Sequence, residues 1–399
     1  MFIFKPEIKF ASILLNDFID NKMHSYSRLR NYDLGIENNL KNLSFISPYV
    51  SAGILKEKQI LINLHKRSNV DEKFVQEIFW RTYWKGRLEI TKKIWRNYKE
   101  NIKNYNNDPK SVKNNLNYRK AIEGSTKIEP FNKWVSELKE NGYLHNHTRM
   151  WFSSIWIHYL NLPWELGADF FLKHLLDGDV SSNTLSWRWV AGLQTFGKKY
   201  IATEDNINKY TNNRFKGFNL PELKQYLPNE EEIVKPEKKE YPYGYIPNYN
   251  DILLINQSNL NNTYALELCK KYKQVFIVDY ELGDLEKSSK VLDFQSLLLK
   301  DYKNEIKKNH EVVSFSLPKD LEKILLHLKS LKFNKIVYEY LNIGYEKDIL
   351  EDLISTLRKN NFKIESILDP FYLNCWEHCN KGFFNFKSKF PKLINDFIK

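Results

Sequence analysis

The sequence predicts an all-helical unit at residues 1–215, a linker at 216–250, and an α/β unit at 251–399 built on a five-stranded parallel sheet. Three observations predict this division. Apolar residues recur at helical spacing through the first unit. Prolines punctuate charged runs throughout the linker, a composition typical of connecting segments. In the last unit short apolar runs alternate with amphipathic stretches, the pattern of parallel strands covered by helices.

Charge and composition restrict the classes of protein to consider. The chain has a formal net charge of +12, which suits a nucleic-acid or other anionic partner, although a uniformly lysine-rich surface gives the same value. Hydrophobic residues at 42% and aromatic residues at 15% exclude a largely disordered chain. No apolar run is long enough to cross a bilayer and the first residues lack a signal-peptide pattern, so we expect a cytoplasmic protein without a membrane partner.

The cysteines predict neither a disulfide framework nor a metal site. The sequence has three, Cys269, Cys375 and Cys379. His378 stands between the last two, but one cysteine pair and one histidine fall short of a zinc ligand set. We therefore expect ordinary thiols in a reduced compartment and no bound metal.

The first candidate site residues follow a predicted helix at residues 8–25. Tyr26 comes directly after it and, taken alone, would be interpreted as a surface tyrosine. Further along, the run from Ser44 to Ser47 precedes Pro48 in a small-residue turn that enters a helix. Such a turn presents free N–H groups to an anion. The alternative is a routine helix start with Ser47 as its cap.

A second helix, predicted at residues 74–84, concentrates aromatic and charged side chains. Helical spacing places Glu77, Trp80 and Arg81 on adjoining faces. The alternative interpretation is an amphipathic core helix with a charged edge. Residues 96–120 are rich in Asn, Lys and Tyr and low in aliphatic residues, so they predict a long polar loop.

The stretch at residues 141–199 places charged side chains among apolar helices. Arg149 lies within one apolar segment, and Asp177 and Asp179 follow another. Arginine and carboxylates are seldom fully buried unless they are paired. If these helices pack together, we expect Arg149 to face Asp177 or Asp179 around something bound.

The α/β unit is predicted from alternating strands and amphipathic helices. No glycine-rich phosphate fingerprint follows the first strand, because residues 256–260 read Asn-Gln-Ser-Asn-Leu. The five predicted strands lie at residues 252–255, 275–279, 312–315, 335–340 and 363–368.

The order of the polar residues resembles that of the photolyase and cryptochrome family. In that family a segment G-W/Y-x-H-N-x-x-R-M precedes an apolar helix, a D-W or P-W pair, and then D-G-D-x-x-x-N-x-x-x-W-x-W. The corresponding residues here are Gly142, Tyr143, His145, Asn146, Arg149, Met150, Pro163, Trp164, Asp177, Gly178, Asp179, Asn183, Trp187 and Trp189. The turn at residues 44–55 and the helix at 74–84 are also similar to family segments. The resemblance implies that residues 1–215 form a photolyase-type helical FAD-binding and catalytic domain.

The resemblance implies FAD as the cofactor and assigns its contacts. Arg149 and Asp177 would form an ion pair beside the isoalloxazine ring, and Asn183 would face its N5 atom. The implied FAD contacts are Tyr26, Ser44, Phe45, Ile46, Ser47, Phe74, Glu77, Arg81, Asn146, Arg149, Asp177, Asp179 and Asn183. The sequence does not identify an antenna chromophore.

The resemblance also implies the residues that meet damaged DNA. Trp80 and Trp189 would stack on the damaged bases from opposite sides, and Glu77 would hydrogen-bond to them. Trp164 and Trp187 would be the inner members of an electron relay whose outer tryptophan is replaced here by Ala121, with Tyr118 nearby. The implied catalytic set is Glu77, Asn146, Met150, Trp164, Asn183 and Trp187, and the implied DNA-binding set is Trp80, Arg81, Met150 and Trp189.

Three functions follow from these features. The first is light-driven repair of cyclobutane pyrimidine dimers, the second a cryptochrome-type photoreceptor, and the third a basic nucleic-acid-binding protein without flavin. Asn146 and Met150 favour the first over repair of (6-4) photoproducts, whose enzymes usually have histidines there. His147 stands where many relatives have a phosphate-binding arginine, which argues for weaker DNA affinity. The expected partner is DNA containing UV-induced pyrimidine dimers, and the protein is expected to be a monomer.

The order of the two units departs from the family pattern. Photolyases and cryptochromes normally place an α/β antenna domain before the helical domain, whereas here the α/β unit follows it. Residues 381–387 are similar to the segment that usually leaves the antenna domain. We therefore expect a circularly permuted member of the family, with residues 251–399 as a Rossmann-like, antenna-type domain.

Overall fold

A computed structural model describes most of the chain. The described residues are 4–67, 70–194, 198–224, 234–242, 248–260, 274–280 and 287–398. Helices make up the part before the predicted linker, and a parallel sheet with helices makes up the part after it. This order confirms the predicted fold class, while the domain boundaries at 215 and 251 stay predictions.

The helical unit consists of short and medium helices joined by tight turns. Two π-helical segments, Phe18–Lys22 and Ile155–Tyr159, and two 3₁₀ turns, Met23–Ser25 and Val112–Asn114, lie between them. The α-helices in the described part of this unit are α1 Ile8–Asp17, α2 Tyr26–Leu29, α3 Ile36–Asn39, α4 Ser47–Ser51, α5 Glu57–His65, α6 Glu72–Glu89, α7 Lys93–Asn107, α8 Leu116–Glu123, α9 Glu129–Asn141, α10 Asn146–Ser154, α11 Trp164–His174, α12 Val180–Val190 and α13 Glu204–Tyr210.

The prediction of a long polar loop at residues 96–120 is wrong. The structure has α7 and α8 there, joined by the turn at Val112–Asn114. Tyr98 and Ile102 are buried on α7, and Tyr118 is buried on α8. Each of these helices buries only one narrow stripe of apolar residues. The buried residues have helical spacing, but the many polar residues around them hide it in the overall composition.

Helix α6 runs through the middle of the molecule and begins at a well-defined cap. The Asp71 side chain accepts hydrogen bonds from the N–H groups of Lys73 and Phe74 at 2.8 and 3.2 Å. A carboxylate in this position satisfies N–H groups that have no partner within the helix. Helix α6 packs on one side against α12 and thereby holds the stretch that carries Asp179 and Asn183.

The sheet is parallel and has five strands. They are β1 Ile252–Asn256, β2 Gln274–Tyr280, β3 Glu311–Leu317, β4 Ile336–Glu339 and β5 Ile364–Ile367, in the spatial order β3-β2-β1-β4-β5. The α-helices in the described residues of this unit are α14 Ser289–Ile306, α15 Leu321–Ser330, α16 Tyr345–Lys359, α17 Pro370–Trp376, α18 Phe383–Lys387 and α19 Phe390–Phe397. Every residue of β1 is buried, as expected for a central strand with both faces covered.

A cavity of about 130 Å³ lies between the sheet and the helical unit. The chain order reverses between β1 and β4, and the residues that follow these strands, including Asn259 and Asn342, line the cavity. Ser51 and Gly53 line it from the helical unit. Open parallel sheets bind ligands at this reversal point, but the cavity is smaller than the roughly 300 Å³ at which small-molecule pockets begin.

Aromatic stacking joins the two units along α6. The Phe79 ring stacks on Phe390 with centroids 3.9 Å apart. One turn further on, Gly86 allows a close approach, because a Cβ atom there would lie 2.5 Å from Cδ1 of Trp376 and 2.8 Å from Sγ of Cys379. Any residue other than glycine at position 86 would therefore push α17 away from α6.

A buried carboxylate joins the same two units at the end of α6. The Glu89 side chain is fully buried and accepts hydrogen bonds from the Tyr340 hydroxyl at 2.8 Å and the Ile343 N–H at 2.7 Å. Lys239 and Lys347 form ion pairs with it. Because a buried charge requires this degree of pairing, Glu89 holds the loop after β4 against the helical unit.

The described residues contain no helix long and apolar enough to cross a membrane. Within the same residues, no group of three or more His, Cys, Asp or Glu side chains could hold a metal ion. Cys375 and Cys379 are buried free thiols, and burial raises the pKa of each. Cys269 lies outside the described residues.

Candidate functional site

Arg149 and Asp177 form the ion pair that the sequence predicts. Nη2 of Arg149 lies 2.8 Å from Oδ2 of Asp177, and its Nε donates to the Leu144 carbonyl at 3.0 Å. Helix α10 supplies the arginine, and the turn after α11 supplies the aspartate. Burial would lower the pKa of Arg149, but the charge of Asp177 raises that pKa above its usual value. The guanidinium therefore remains a fixed positive charge in this site.

The second carboxylate oxygen of Asp177 has no hydrogen-bond partner among the residues that the structure describes. Oδ1 is buried and accepts no hydrogen bond from any described residue. Leaving such an acceptor unsatisfied costs about 1–3 kcal/mol, more for a charged group. The Asp177 main-chain carbonyl, in contrast, accepts from the Ser51 hydroxyl at 3.0 Å. This arrangement fits a ligand that donates an N–H group to Oδ1.

The turn before α4 presents free main-chain N–H groups. Phe45 has a φ of 53°, and Ile46 follows in the right-handed region with φ −83° and ψ −11°. A left-handed residue followed by a right-handed one turns successive N–H groups toward one point, and these groups then form an anion-binding concavity. The N–H groups of Phe45, Ile46 and Ser47 donate to no atom of the described residues. The turn is thus suited to a phosphate or diphosphate.

Tyr143 connects this turn to the ion pair. Its ring centroid lies 4.9 Å from that of Phe45, and the Arg149 guanidinium lies over the same ring at 5.3 Å. Burial raises the pKa of Tyr143, so its hydroxyl remains neutral. Free N–H groups, a fixed cation and an unpaired carboxylate oxygen therefore belong to one site. FAD has both the diphosphate and the ring N–H that this set of donors and acceptors fits.

His145 stands at the start of α10 beside this site. Its Nδ1 accepts from the His147 N–H at 3.1 Å, which leaves Nε2 as the protonated nitrogen of a neutral ring. Burial lowers the pKa of His145 to about 4, against the opposing effect of Asp33. A hydrogen bond from the ring to the Arg30 main chain also opposes the lowering of this pKa. Since the ring stays neutral near pH 7, it adds no charge beside Arg149.

Tyr26 and Phe74 lie in the core and not at the surface. Their rings meet edge to face with centroids 5.2 Å apart, and Phe18 packs on Phe74 at 4.5 Å. Burial raises the pKa of Tyr26. The interpretation of Tyr26 as a surface tyrosine, which its isolated sequence context favoured, is therefore wrong.

Glu77 and Arg81 have partners within the protein. Glu77 forms an ion pair with Arg30. Arg81 donates from Nη2 to the Ser51 hydroxyl at 3.1 Å, and its Nε lies 3.6 Å from the fully buried Glu57. The resemblance implies that Arg81 meets a DNA phosphate and that Glu77 meets the damaged base. The structure places Arg81 facing inward and Glu77 in contact with another charged residue.

Glu57 explains the inward orientation of Arg81. Lys85 lies 2.7 Å from Glu57, and the Tyr372 hydroxyl of α17 donates to it at 2.8 Å. Burial would raise the pKa of Glu57, but the cations of Lys85 and Arg81 hold it at about 2. The Arg81 cation therefore balances a buried negative charge between α5, α6 and α17.

The two tryptophans expected to hold damaged bases have different surroundings. Trp80 stacks on Phe383 of α18, with centroids 3.4 Å apart and planes 7° from parallel. Trp189 is 38% exposed and stacks on Tyr200 at 5.6 Å. Among the described residues no ring contact joins Trp80 to Trp189. The structure thus leaves Trp189 accessible and covers one face of Trp80.

The remaining predicted residues lie on α10 and α12. Asn146 is exposed at the first position of α10, and Met150 is half-buried one turn later. On α12, Asp179 caps the helix by accepting from the Ser182 N–H at 2.8 Å. Asn183 donates from Nδ2 to the Ala168 carbonyl at 2.9 Å. These hydrogen bonds fix the orientation of both side chains on α12.

Trp164 and Trp187 are buried in the aromatic core of the helical unit. Sequence analysis did not single out Trp156, although its ring packs 6.2 Å from that of Trp187. Its position seven residues after Arg149, two helical turns along the same segment, was the available signal. Ala121, which stands where the family has its outer relay tryptophan, is buried.

The family model described as the FAD binding domain of DNA photolyase matches residues 74–280, just over half of the chain.

Proteins and solved structures similar to this chain include photolyases and cryptochromes. A deoxyribodipyrimidine photo-lyase from Buchnera aphidicola is 28% identical over 255 residues, covering 59% of this chain and 51% of the relative. A cryptochrome DASH from Idiomarina loihiensis is 27% identical over 159 residues, covering 37% of this chain and 33% of the relative. The structure of a Synechocystis cryptochrome aligns with a TM-score of 0.43 and 20% identity, covering 52% of this chain and 44% of the other. The chain spans about half the length of the Buchnera relative and less of the other two.

Proposed function

This chain belongs to the DNA photolyase family, whose FAD-binding domain matches more than half of it, and we propose that it is a light-driven lyase that splits cyclobutane pyrimidine dimers in DNA. The observation that carries this proposal is the Arg149–Asp177 ion pair, which retains one buried and unbonded carboxylate oxygen. Such an arrangement is costly in an empty protein and becomes favourable once a ligand N–H fills the free position.

The chain's own residues hold FAD in this proposal. The N–H groups of Phe45, Ile46 and Ser47 would bind the diphosphate, and Oδ1 of Asp177 would accept a hydrogen bond from a ring N–H. FAD supplies the light-driven electron transfer, while the protein binds it, orients it and sets its electrostatic surroundings. Arg149 favours an anionic, reduced ring because its own charge is fixed. Tyr26, Ser44, Phe74, Asn146, Asp179 and Asn183 complete the proposed pocket.

Two observations support binding to DNA, the positive net charge of the chain and the exposure of the Trp189 ring. The net charge of +12 attracts the phosphate backbone at long range. Photolyases are among the enzymes that take the target nucleotide out of the base stack, so the protein must offer a surface for an extruded base. Trp189 is the predicted stacking residue whose ring is accessible. Met150, half-buried on α10, would line the same pocket.

We propose no antenna chromophore in the cavity between the sheet and the helical unit, because its volume of about 130 Å³ is well below the roughly 300 Å³ of the smallest ligand pockets.

The test of the proposed function is repair under blue light. Purified protein is reconstituted with FAD, reduced chemically and illuminated with single- and double-stranded DNA that contains thymine dimers. We expect dimers to disappear in the light and to persist in the dark, measured by chromatography of digested DNA. Flavin-loaded, reduced protein that leaves dimers intact would rule out the lyase.

Replacing Trp189 by alanine is expected to weaken binding to dimer-containing DNA. Base stacking on an aromatic side chain contributes about 1–3 kcal/mol per base, which corresponds to roughly 5- to 150-fold in Kd. The matched control is Trp189→Phe, which keeps an aromatic face and should retain most of the affinity. Fluorescence anisotropy with a labelled oligonucleotide measures both variants, and equal affinities for wild type and Trp189→Ala would contradict the assignment.

A flavin photoreceptor without repair activity is the second candidate. The observation that favours it is the stacking of Phe383 on Trp80, which occupies a face that the family is expected to use for damaged bases. Repair of (6-4) photoproducts is less favoured because Asn146 and Met150 stand where those enzymes usually have histidines. A light-dependent absorbance change of bound flavin in a protein without repair would support the photoreceptor.

A further inference from the structure

Phe384 is the most exposed large hydrophobic side chain in the part of the chain that the structure describes. It belongs to α18, and 83% of its surface is exposed. Single exposed apolar residues are common on protein surfaces. Phe384 differs from them because its neighbour Phe383 stacks on Trp80, and the ring centroids of Phe383 and Phe384 lie 6.3 Å apart. Aromatic rings therefore continue from Trp80, which the resemblance assigns to the damaged base, to the solvent-exposed surface.

Contacts on both sides of Phe384 hold α18 in place. Phe383 and Phe386 are buried. The Phe386 ring packs against that of Tyr83 with centroids 5.7 Å apart, and the Tyr83 hydroxyl donates to the Lys381 carbonyl at 2.9 Å just before the helix begins. The exposed ring can thus bind a partner without first ordering the helix that carries it, which lowers the entropic cost of binding.

Lysines lie on both sides of the exposed ring along the chain. Lys387 follows Phe384 by three residues, on the same side of α18, and Lys381 is exposed just before the helix. Neither lysine has an acidic partner among the described residues. Residues 377–398 contain four lysines, the other two being Lys389 and Lys392, against the two acidic residues Glu377 and Asp396. This surface therefore combines an exposed aromatic face with an excess of positive charge, as an anionic partner with planar rings requires.

We propose that Phe384, Lys381 and Lys387 form a binding surface for the nucleotides next to the pyrimidine dimer, an inference that rests on the proposed function. A base stacks on the Phe384 ring, and the two lysines bind the phosphates on either side of that base. The surface accepts any sequence, because every base has an aromatic face. A protein partner is less favoured, because lysine is depleted in protein–protein interfaces.

The test compares the binding of two substrates to FAD-loaded protein. The short substrate is a thymine-dimer dinucleotide, and the long one is a single-stranded oligonucleotide with the same dimer near its centre. Phe384→Ala should weaken binding of the long substrate by roughly 5- to 150-fold in Kd and leave binding of the short one unchanged. Trp189→Ala should weaken both, because Trp189 is proposed to contact the dimer itself. Fluorescence anisotropy measures the labelled long substrate, and competition against it measures the short one.

Two outcomes of this comparison would overturn the proposal. One is an unchanged Kd of Phe384→Ala for the long substrate. The other is an equal loss of affinity for both substrates, which would assign Phe384 to the dimer and not to its neighbours.

Further variants separate base stacking from general apolar contact. Phe384→Trp keeps an aromatic face and should bind the long substrate as wild type does, whereas Phe384→Leu should lose as much affinity as the alanine variant. The matched control is Leu326→Ala, which removes an apolar side chain of α15 that is 69% exposed, and wild-type affinity is expected for it. A leucine variant with wild-type affinity would refute stacking on Phe384.

The salt dependence of binding tests the two lysines. Each phosphate contact to single-stranded DNA contributes about 0.7 to the slope of log Kd against log salt concentration. Lys381→Ala and Lys387→Ala should each reduce the slope for the long substrate by that amount, and Lys332→Ala, which removes an exposed lysine elsewhere in the α/β unit, should leave it unchanged. Wild-type slopes in both test variants would remove the phosphate contacts from the proposal.

Failure of this inference is distinguishable from failure of the proposed function. Repair of the dinucleotide dimer by reduced, FAD-loaded protein requires no contact with Phe384. A protein that repairs this dimer and binds the long substrate equally well without Phe384 refutes only the inference. A protein that leaves the dinucleotide dimer intact refutes the proposed function, whatever the effect of Phe384→Ala.

Discussion

Replacing Arg149 by alanine is expected to release bound FAD and to lower the free energy of unfolding by about 3–5 kcal/mol, the cost of leaving a buried partner charge unpaired. The lower end of this range applies, because the Arg149 side chain is 24% exposed whereas that of Asp177 is buried. Flavin retained after gel filtration, measured by absorbance, and urea unfolding give the two quantities.

Arg149→Lys is the matched control for this substitution. A lysine keeps the positive charge but lacks the planar group that donates to both Asp177 and the Leu144 carbonyl. We expect an intermediate loss of stability and partial retention of flavin. An alanine variant with the flavin content of wild type would show that the ion pair does not belong to the cofactor site.

Replacing Glu57 by alanine is expected to destabilise the protein by about 3–5 kcal/mol. The variant leaves the cations of Lys85 and Arg81 partly buried without their carboxylate, and the Tyr372 hydroxyl without its acceptor. The control is Glu100→Ala on the exposed face of α7, for which a change within about 0.5 kcal/mol is expected. Urea unfolding at pH 7 measures both.

The pH dependence of stability gives a second measure of the Glu57 contribution. Its pKa in the folded protein is about 2, below the ordinary 4.5. A carboxyl with a lowered pKa stabilises the fold fully above the unfolded value, and this stabilisation is lost as the pH falls from about 4.5 to about 2. The stability lost over this pH interval through Glu57 amounts to roughly 3 kcal/mol. An alanine variant that lost as much stability as wild type over this interval would contradict the assignment.

The fold class could be predicted because two periodicities differ along the sequence. Helical spacing of apolar residues in the first unit and short strand-like runs after residue 251 are local signals that packing reinforces. The loop predicted at residues 96–120 failed for a physical reason. On α7 the apolar residues, including Trp95, Tyr98 and Ile102, lie only on the buried side. Asparagine and lysine residues on the other side outnumber them and dominate the composition.

A carboxylate partner for Arg149 could be predicted from a rule about single residues, which left Asp177 and Asp179 as alternatives, and the resemblance selected Asp177. Charged side chains inside apolar helices require partners, and few opposite charges were available in the same stretch. The surroundings of Arg81 and Trp80 could not be predicted in this way. Their partners, Glu57 and Phe383, come from other parts of the chain, and no spacing rule within α6 identifies them.

The network around Glu57 also bears on how the two units stay together. Tyr372 and Glu57 are separated by 315 residues, yet they share a hydrogen bond in the buried contact between the units. The two units can therefore be treated as binding partners joined by a tether, the predicted linker at residues 216–250. The tether sets the effective concentration of one unit around the other, and the buried contact sets their affinity. Such an arrangement tolerates a longer tether, since lengthening it costs only slowly increasing entropy, but Lys239 within the tether must be kept because it pairs with the buried Glu89.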